Sequence, residues 1–216
     1  MDYGMMLSKL AGGMLTTVSI FGLTLLFSMP LGMVVAFGRM SKNNIVRNIT
    51  KIYISIMRGT PLMLQVMVVY FGPYYLFGIP IASSYRFIAV IIGFVLNYAA
   101  YFAEIYRGGI ESMPVGQYEA AALLGYTKGQ TFLRIILPQV IKRIIPSVTN
   151  EVITLVKDTS LAMVIAVSEM FTIAKALASS STSMMPYVAA GIFYYVFNFL
   201  VAWAMEKIEH KLSYYR

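Results

Sequence analysis

Four windows of this chain carry no charged residue: Leu10–Gly38, Gly59–Tyr85, Phe87–Ala103 and Ala176–Met205. A helix crossing the hydrocarbon core of a bilayer needs roughly 20 predominantly apolar residues, and in that core only helices and closed barrels satisfy every backbone polar group. Windows of this length predict an all-α membrane protein. Composition agrees: hydrophobic residues make up 59% of the chain and charged residues 12%, too few to solvate the surface of a soluble domain.

A fifth apolar stretch, from about Ile144 to Ser168, holds Glu151, Lys157 and Asp158. An ionised side chain near the bilayer centre costs at least ~2.5 to 3.5 kcal/mol, so such a cluster must be paired, hydrated or functional. Counting this stretch gives five transmembrane helices. Of the 17 Lys and Arg, thirteen fall in three groups: Arg39–Arg58 after the first span, Arg107–Arg143 after the third, and Lys207, Lys211 and Arg216 after the fifth. The positive-inside bias then predicts an N-out, C-in topology, with only Lys9, Arg86 and Lys175 outside.

The same distribution explains the formal charge of +8 without a nucleic-acid partner. With no cysteine, disulfides and thiolate metal sites are excluded. No nucleophile–base pair, catalytic dyad or metal motif is visible, so no catalytic or metal residues are expected. Asp2 and Lys9 before a long apolar run do not read as a cleaved signal peptide, and the first segment is expected to be retained.

Within the first span, Thr16, Thr17, Ser19, Thr24 and Ser28 lie beside Pro30, a pattern that suits close helix packing and a kink. The basic stretch after it reads as a loop. Thr60-Pro61 then predicts an N-cap followed by proline at the first helical position, opening a span that ends near Gly72-Pro73. Residues 77–86 form a short outer connection, and span three runs from about Phe87 to Phe102 with Asn97 and Tyr98 deep inside. Ala174 to Met185 reads as a Ser/Thr-rich outer loop with room for a short helix. Tyr187, Tyr194, Tyr195 and Trp203 read as interfacial anchors and packing aromatics.

The segment from about 104 to 147 is too long for a simple connection and should form its own packed structure. Residues 117–124 are strong helix formers, with Gly125 placed to end the helix in a left-handed conformation; a second stretch, Thr127 to Leu137, is stopped by Pro138. A short alanine-rich helix presents a small knob that fits a groove on another protein, or merely covers a loop.

Arg58-Gly59-Thr60-Pro61-Leu62, Ala103-Glu104-Ile105-Tyr106-Arg107-Gly108-Gly109-Ile110 and Gly116-Gln117-Tyr118-Glu119-Ala120-Ala121-Ala122-Leu123-Leu124-Gly125 together resemble the permease subunits of ATP-binding-cassette importers. Ile136-Leu137-Pro138-Gln139 continues the match. Asn150-Glu151-Val152-Ile153 and Leu155-Val156-Lys157-Asp158-Thr159-Ser160-Leu161 narrow it to the histidine, arginine and glutamine uptake group. The resemblance implies one transmembrane domain over residues 1–216. It makes residues 117–125 a coupling helix between spans three and four, with Glu119, Ala120, Ala121 and Gly125 docking on a cytoplasmic ATPase dimer. It also implies a second permease chain, identical or different, an extracytoplasmic amino-acid-binding protein and a prokaryotic cytoplasmic membrane. ATP and Mg would belong to the partner, since this chain has no phosphate-binding Gly-x-x-x-x-Gly-Lys-Ser/Thr loop and needs no cofactor of its own.

For cargo, Glu151 and Asp158 are two turns apart on nearly one helix face, about 10 Å along the axis. Two carboxylates and the Lys157 ammonium could replace the hydration of an amino acid's charged ends, favouring arginine, lysine or histidine, then polar neutral amino acids. Ser160, Gln65, Asn97 and Tyr98 are expected to complete the cavity. The competing reading is a buried Asp158–Lys157 ion pair that fixes packing without touching cargo. The competing function is a self-contained, ion-coupled secondary amino-acid transporter, although the paired inverted repeats usual in such folds are not visible.

Overall fold

A computed structural model describes residues 3–212; Asp2 and Arg216 lie outside them. The described residues form α1 (Tyr3–Arg39), α2 (Asn44–Gly59), α3 (Leu62–Phe77), α4 (Tyr85–Glu111), α5 (Val115–Leu123), the single turn α6 (Lys128–Gln130), α7 (Leu137–Asp158), α8 (Met170–Ser181) and α9 (Met185–Leu212). A π-helical turn, Thr131–Ile136, joins α6 to α7, and a 3₁₀ segment, Thr159–Ile165, extends α7. Three helices, α1, α4 and α9, are each long and apolar enough to cross a membrane. Two bent pairs qualify as broken spans: α2 with α3, at 110°, and the rod from Lys128 to Ile165 with α8, at 58°. Counting each pair once gives five.

The molecule is organised around α4. Its most extensive partner is α1, and α2, α3 and α7 pack against it as well. The buried row of α1, including Gly13, Thr17, Thr24, Ser28 and Gly32, is small, so the backbones approach closely. A Cβ on Gly32 would stand 2.8 Å from the Phe102 Cβ and 3.1 Å from the Ala99 carbonyl oxygen. Thr17, Thr24 and Ser28 thus lie in the packed interface while Ser19 is exposed, and Pro30 sits inside α1 without ending it.

Several local expectations are corrected. The basic stretch after α1 is not a loop but α2, capped by the Asn43 side chain accepting from the Ile45 amide. Pro61 is the extended residue before α3 rather than its first helical residue, and Thr60 donates to the Ile56 carbonyl instead of capping. Nor does Gly72-Pro73 end α3: the helix runs to Phe77 and stops at Gly78, whose φ of 67° is left-handed. Gly78 has no Cβ to oppose that conformation. Pro138 does not stop its helix either. The wider π turn just before it shifts the hydrogen-bond ladder where proline lacks a donor, and the Gln139 Nε2 donates to the Ile135 carbonyl at 2.7 Å. The helix expected within 174–185 is the larger part of that segment, since α8 runs to Ser181, and the last span, α9, follows from Met185.

The segment after α4 packs on a cluster of its own, with Met113, Ile136 and Val140 buried among Ile110, Tyr118 and Phe132. Its beginning, residues 104–111, is the end of α4 rather than a separate structure.

Candidate functional site

Asp158 is the last residue of α7, where the helix tightens into the 3₁₀ segment. The buried Tyr98 hydroxyl, on α4, donates to its Oδ2 at 2.7 Å. Glu151 and Asp158 are both half-buried, and Asp158 and Arg58 both lie close enough to Glu151 to act on it electrostatically. Among the described residues the ion pairs involve Glu104, Glu111 and Glu206, so neither Glu151 nor Asp158 has a basic group within 4.0 Å. Lys157 is exposed and lies beyond ion-pair distance of Asp158, although its charge still acts on that carboxylate.

The other expected wall residues separate into two groups. Tyr98 joins Asp158 directly. Gln65 and Asn97 instead build a network of their own at the α2–α3 bend. The Asn97 Nδ2 donates to the Gln65 Oε1 and to the Met57 carbonyl, both at 3.0 Å. The Gln65 Nε2 donates to the Met57 carbonyl at 2.9 Å and to the Thr60 hydroxyl at 2.8 Å. These amides satisfy backbone groups left open where α2 ends, a structural use that competes with a ligand. Ser160 donates to the Lys157 carbonyl at 2.8 Å, and Thr159 to that of Val156 at 2.7 Å, so both hydroxyls serve their own helix.

The α5 segment has the predicted local form: helix through Leu123, then Gly125 with φ of 78°. Glu119 and Ala120 are exposed, whereas Ala121 is buried. Reciprocal amide bonds of 2.8 Å join Gln117 to Gln139, and the Arg143 Nη1 donates to the Ser112 carbonyl and hydroxyl. The segment is therefore fastened to α7, the helix that carries Glu151 and Asp158. Glu104 ties other elements: it pairs with Arg107 at 2.6 Å and holds Arg39 and Arg58 at 4.0 and 3.9 Å, joining the ends of α1 and α2 to α4.

One polar centre escaped the sequence reading. Glu169, fully buried, accepts from the amides of Phe171 and Thr172, both at 2.7 Å, from the Thr172 hydroxyl and from the Tyr194 hydroxyl at 3.0 Å. It caps α8 and ties it to α9. Its signal was an acidic residue directly before an apolar helical run, one position beyond the end assigned to the fourth span. Tyr194 is thus an internal strap. Trp203 lies under the Lys207 ammonium, 3.7 Å from its ring centroid, a cation–π contact within α9.

Residues 28–214 match the family model of the binding-protein-dependent transport system inner membrane component. The chain is 36% identical over 208 residues to the L-cystine transport system permease protein TcyB of Bacillus subtilis, covering 95% of this chain and 87% of that protein. It is 35% identical to the arginine transport system permease protein ArtQ of the same organism, covering 93% and 91%. A solved structure of an amino acid ABC transporter with histidines superposes with a TM-score of 0.86 at 28% identity, covering 98% and 99%. The MetNI methionine ABC transporter, at 16% identity and a TM-score of 0.74, shares the fold. Motifs, helical architecture and family match agree, and the chain belongs to the family of binding-protein-dependent transport system inner membrane components.

Proposed function

We propose that this chain is the permease subunit of an ATP-driven amino-acid importer, not itself an enzyme, and that cargo passes the Tyr98–Asp158–Glu151 site. The observation that carries this reading is a pair of half-buried carboxylates, 151 and 158, without a basic partner within ion-pair distance. Burying carboxylates costs free energy unless a counter-charge arrives; the ammonium of an amino acid, or a cationic side chain, supplies one. Net negative character favours arginine, lysine or histidine over an acidic amino acid. Permeases in the same family serve cystine and arginine in Bacillus subtilis, which supports an amino-acid cargo while leaving the choice among amino acids to these side chains.

In this reading the five spans run N-out and C-in through a prokaryotic cytoplasmic membrane. A second permease chain, an extracytoplasmic binding protein and an ATPase dimer holding ATP and Mg complete the complex. Exposed Glu119 and Ala120, with Val115, Leu123 and Leu124 exposed beside them, suit α5 to an ATPase groove. The Gln117–Gln139 and Ser112–Arg143 bonds then carry motion of α5 into α7 and so to Asp158. An ion-driven transporter is not favoured: the similar proteins are permease proteins of transport systems and an amino acid ABC transporter, which supports energy drawn from a separate ATPase.

The test is calorimetric binding of an amino-acid panel to the purified complex, comparing wild type with Asp158→Asn and Glu151→Gln. Losing one buried charge partner costs roughly 2 to 5 kcal/mol, so cationic affinity should fall by about 30-fold or more. Unchanged affinity in both variants would move recognition to the delivery protein.

A further inference from the structure

From Tyr3 to Ala103 the chain contains no acidic residue, yet α2 and the turn before it carry Lys42, Arg47, Lys51 and Arg58. Arg58 reaches Glu104, which also holds Arg39 and Arg107. Among the described residues no carboxylate pairs with Lys42, Arg47 or Lys51. The Arg47 guanidinium donates only to the neighbouring Asn44 Oδ1.

The surface of α2 divides into three strips. Tyr53, Ile54 and Met57 face the core. Ile45, Ile49, Ile52 and Ile56 form a row spaced by three and four residues, each more than half exposed. Asn44, Arg47, Asn48, Lys51 and Ser55 form a second exposed row, on the order of 100° round the helix from the isoleucines. A helix with adjoining apolar and basic strips lies in a membrane–water interface, apolar side down. The 110° bend into α3 fits: if α3 crosses the bilayer, α2 runs nearly along its surface. A groove of about 290 Å³ opens at the inner corner of that bend, continuous with the isoleucine row at Ile56 and lined by Leu64, Val68, Val69 and Leu96.

We infer that α2 is a docking surface for acidic phospholipid. The headgroup is held by Arg47 and Lys51, and an acyl chain lies along the isoleucine row toward the groove at the α2–α3 corner. The inference rests on the membrane reading of the chain but not on its cargo.

The experiment uses purified full-length protein in bilayer discs of phosphatidylcholine mixed with phosphatidylglycerol, with native mass spectrometry reading the lipid retained. Each basic group near an acidic surface contributes about 1 kcal/mol. Arg47→Gln with Lys51→Gln should therefore lower the preference for phosphatidylglycerol by about 30-fold, and raised salt should erase the difference. The chain has no cysteine, so Ile52→Cys and Ser55→Cys each accept a single fluorophore. Lipids with brominated acyl chains should quench the first and spare the second. Equal lipid retention by wild type and the double variant, or equal quenching at the two positions, overturns the proposal. So does an unchanged lipid preference accompanied by loss of the ATPase from the variant complex, which would assign the face to a protein. An import assay that failed while these lipid readouts succeeded would count against the proposed transport function alone.

Discussion

Replacing Glu169 by alanine tests whether one buried carboxylate holds the α8–α9 corner of the bundle. The side chain receives two backbone amides at 2.7 Å, one hydroxyl from its own turn and the Tyr194 hydroxyl from α9. Losing a helix cap costs about 1 kcal/mol. A stranded buried donor adds about 1 to 3 kcal/mol, and here the hydroxyls of Thr17 and Thr159, near that of Tyr194, soften the loss. The expected destabilisation is about 2 to 4 kcal/mol. For a chain of this size each kcal/mol moves the unfolding midpoint by roughly 2 to 4 °C, so thermal unfolding in detergent should start roughly 4 to 16 °C lower. Tyr194→Phe removes one donor of four and should cost about 1 to 2 kcal/mol. The double variant should be less destabilised than the sum, because both changes break the same bond. Wild-type unfolding of Glu169→Ala, or strict additivity of the pair, would refute the claim that Glu169 joins α8 to α9.

Gly109→Val should separate α4 from α7, since a Cβ there would meet the Ile144 Cγ2 well inside contact distance; overpacking costs about 1 to 3 kcal/mol, readable as a lower unfolding midpoint. Tyr98→Phe leaves the fold intact but removes the donor to Asp158. Amino-acid affinity of the complex should change by several-fold, and an identical binding curve would remove Tyr98 from the site. Glu119→Lys should abolish cargo-stimulated ATP hydrolysis in the assembled complex without shifting thermal unfolding, because the side chain is exposed; normal stimulation would count against α5 as the coupling element. Gln117→Ala should weaken that stimulation while leaving ATPase binding in place, since it cuts the link to Gln139 rather than the exposed face.

Hydropathy, charge placement and motif spacing are properties of neighbouring residues. They were enough to read an all-helical membrane chain, the family, the α5 helix with its left-handed Gly125, and the placement of carboxylates 151 and 158 within one apolar helix. Tyr98 was legible as a polar group deep in a span, though its bond to Asp158 joins residues 60 apart in sequence.

What the sequence could not decide is where helices bend and which polar groups already have partners. Pro138 reads as a stop, yet the π turn and the Gln139 amide carry the helix through it. Gln65 and Asn97 read as cavity walls; what the sequence could not show is that the α2–α3 bend also places the Met57 and Thr60 carbonyls within their reach, so both amides already have partners. Glu169 fell between two apolar windows, and its meaning comes from Tyr194, 25 residues away. In an apolar medium the first requirement on any buried polar group is a hydrogen-bond partner, and only the tertiary arrangement says which partners are within reach.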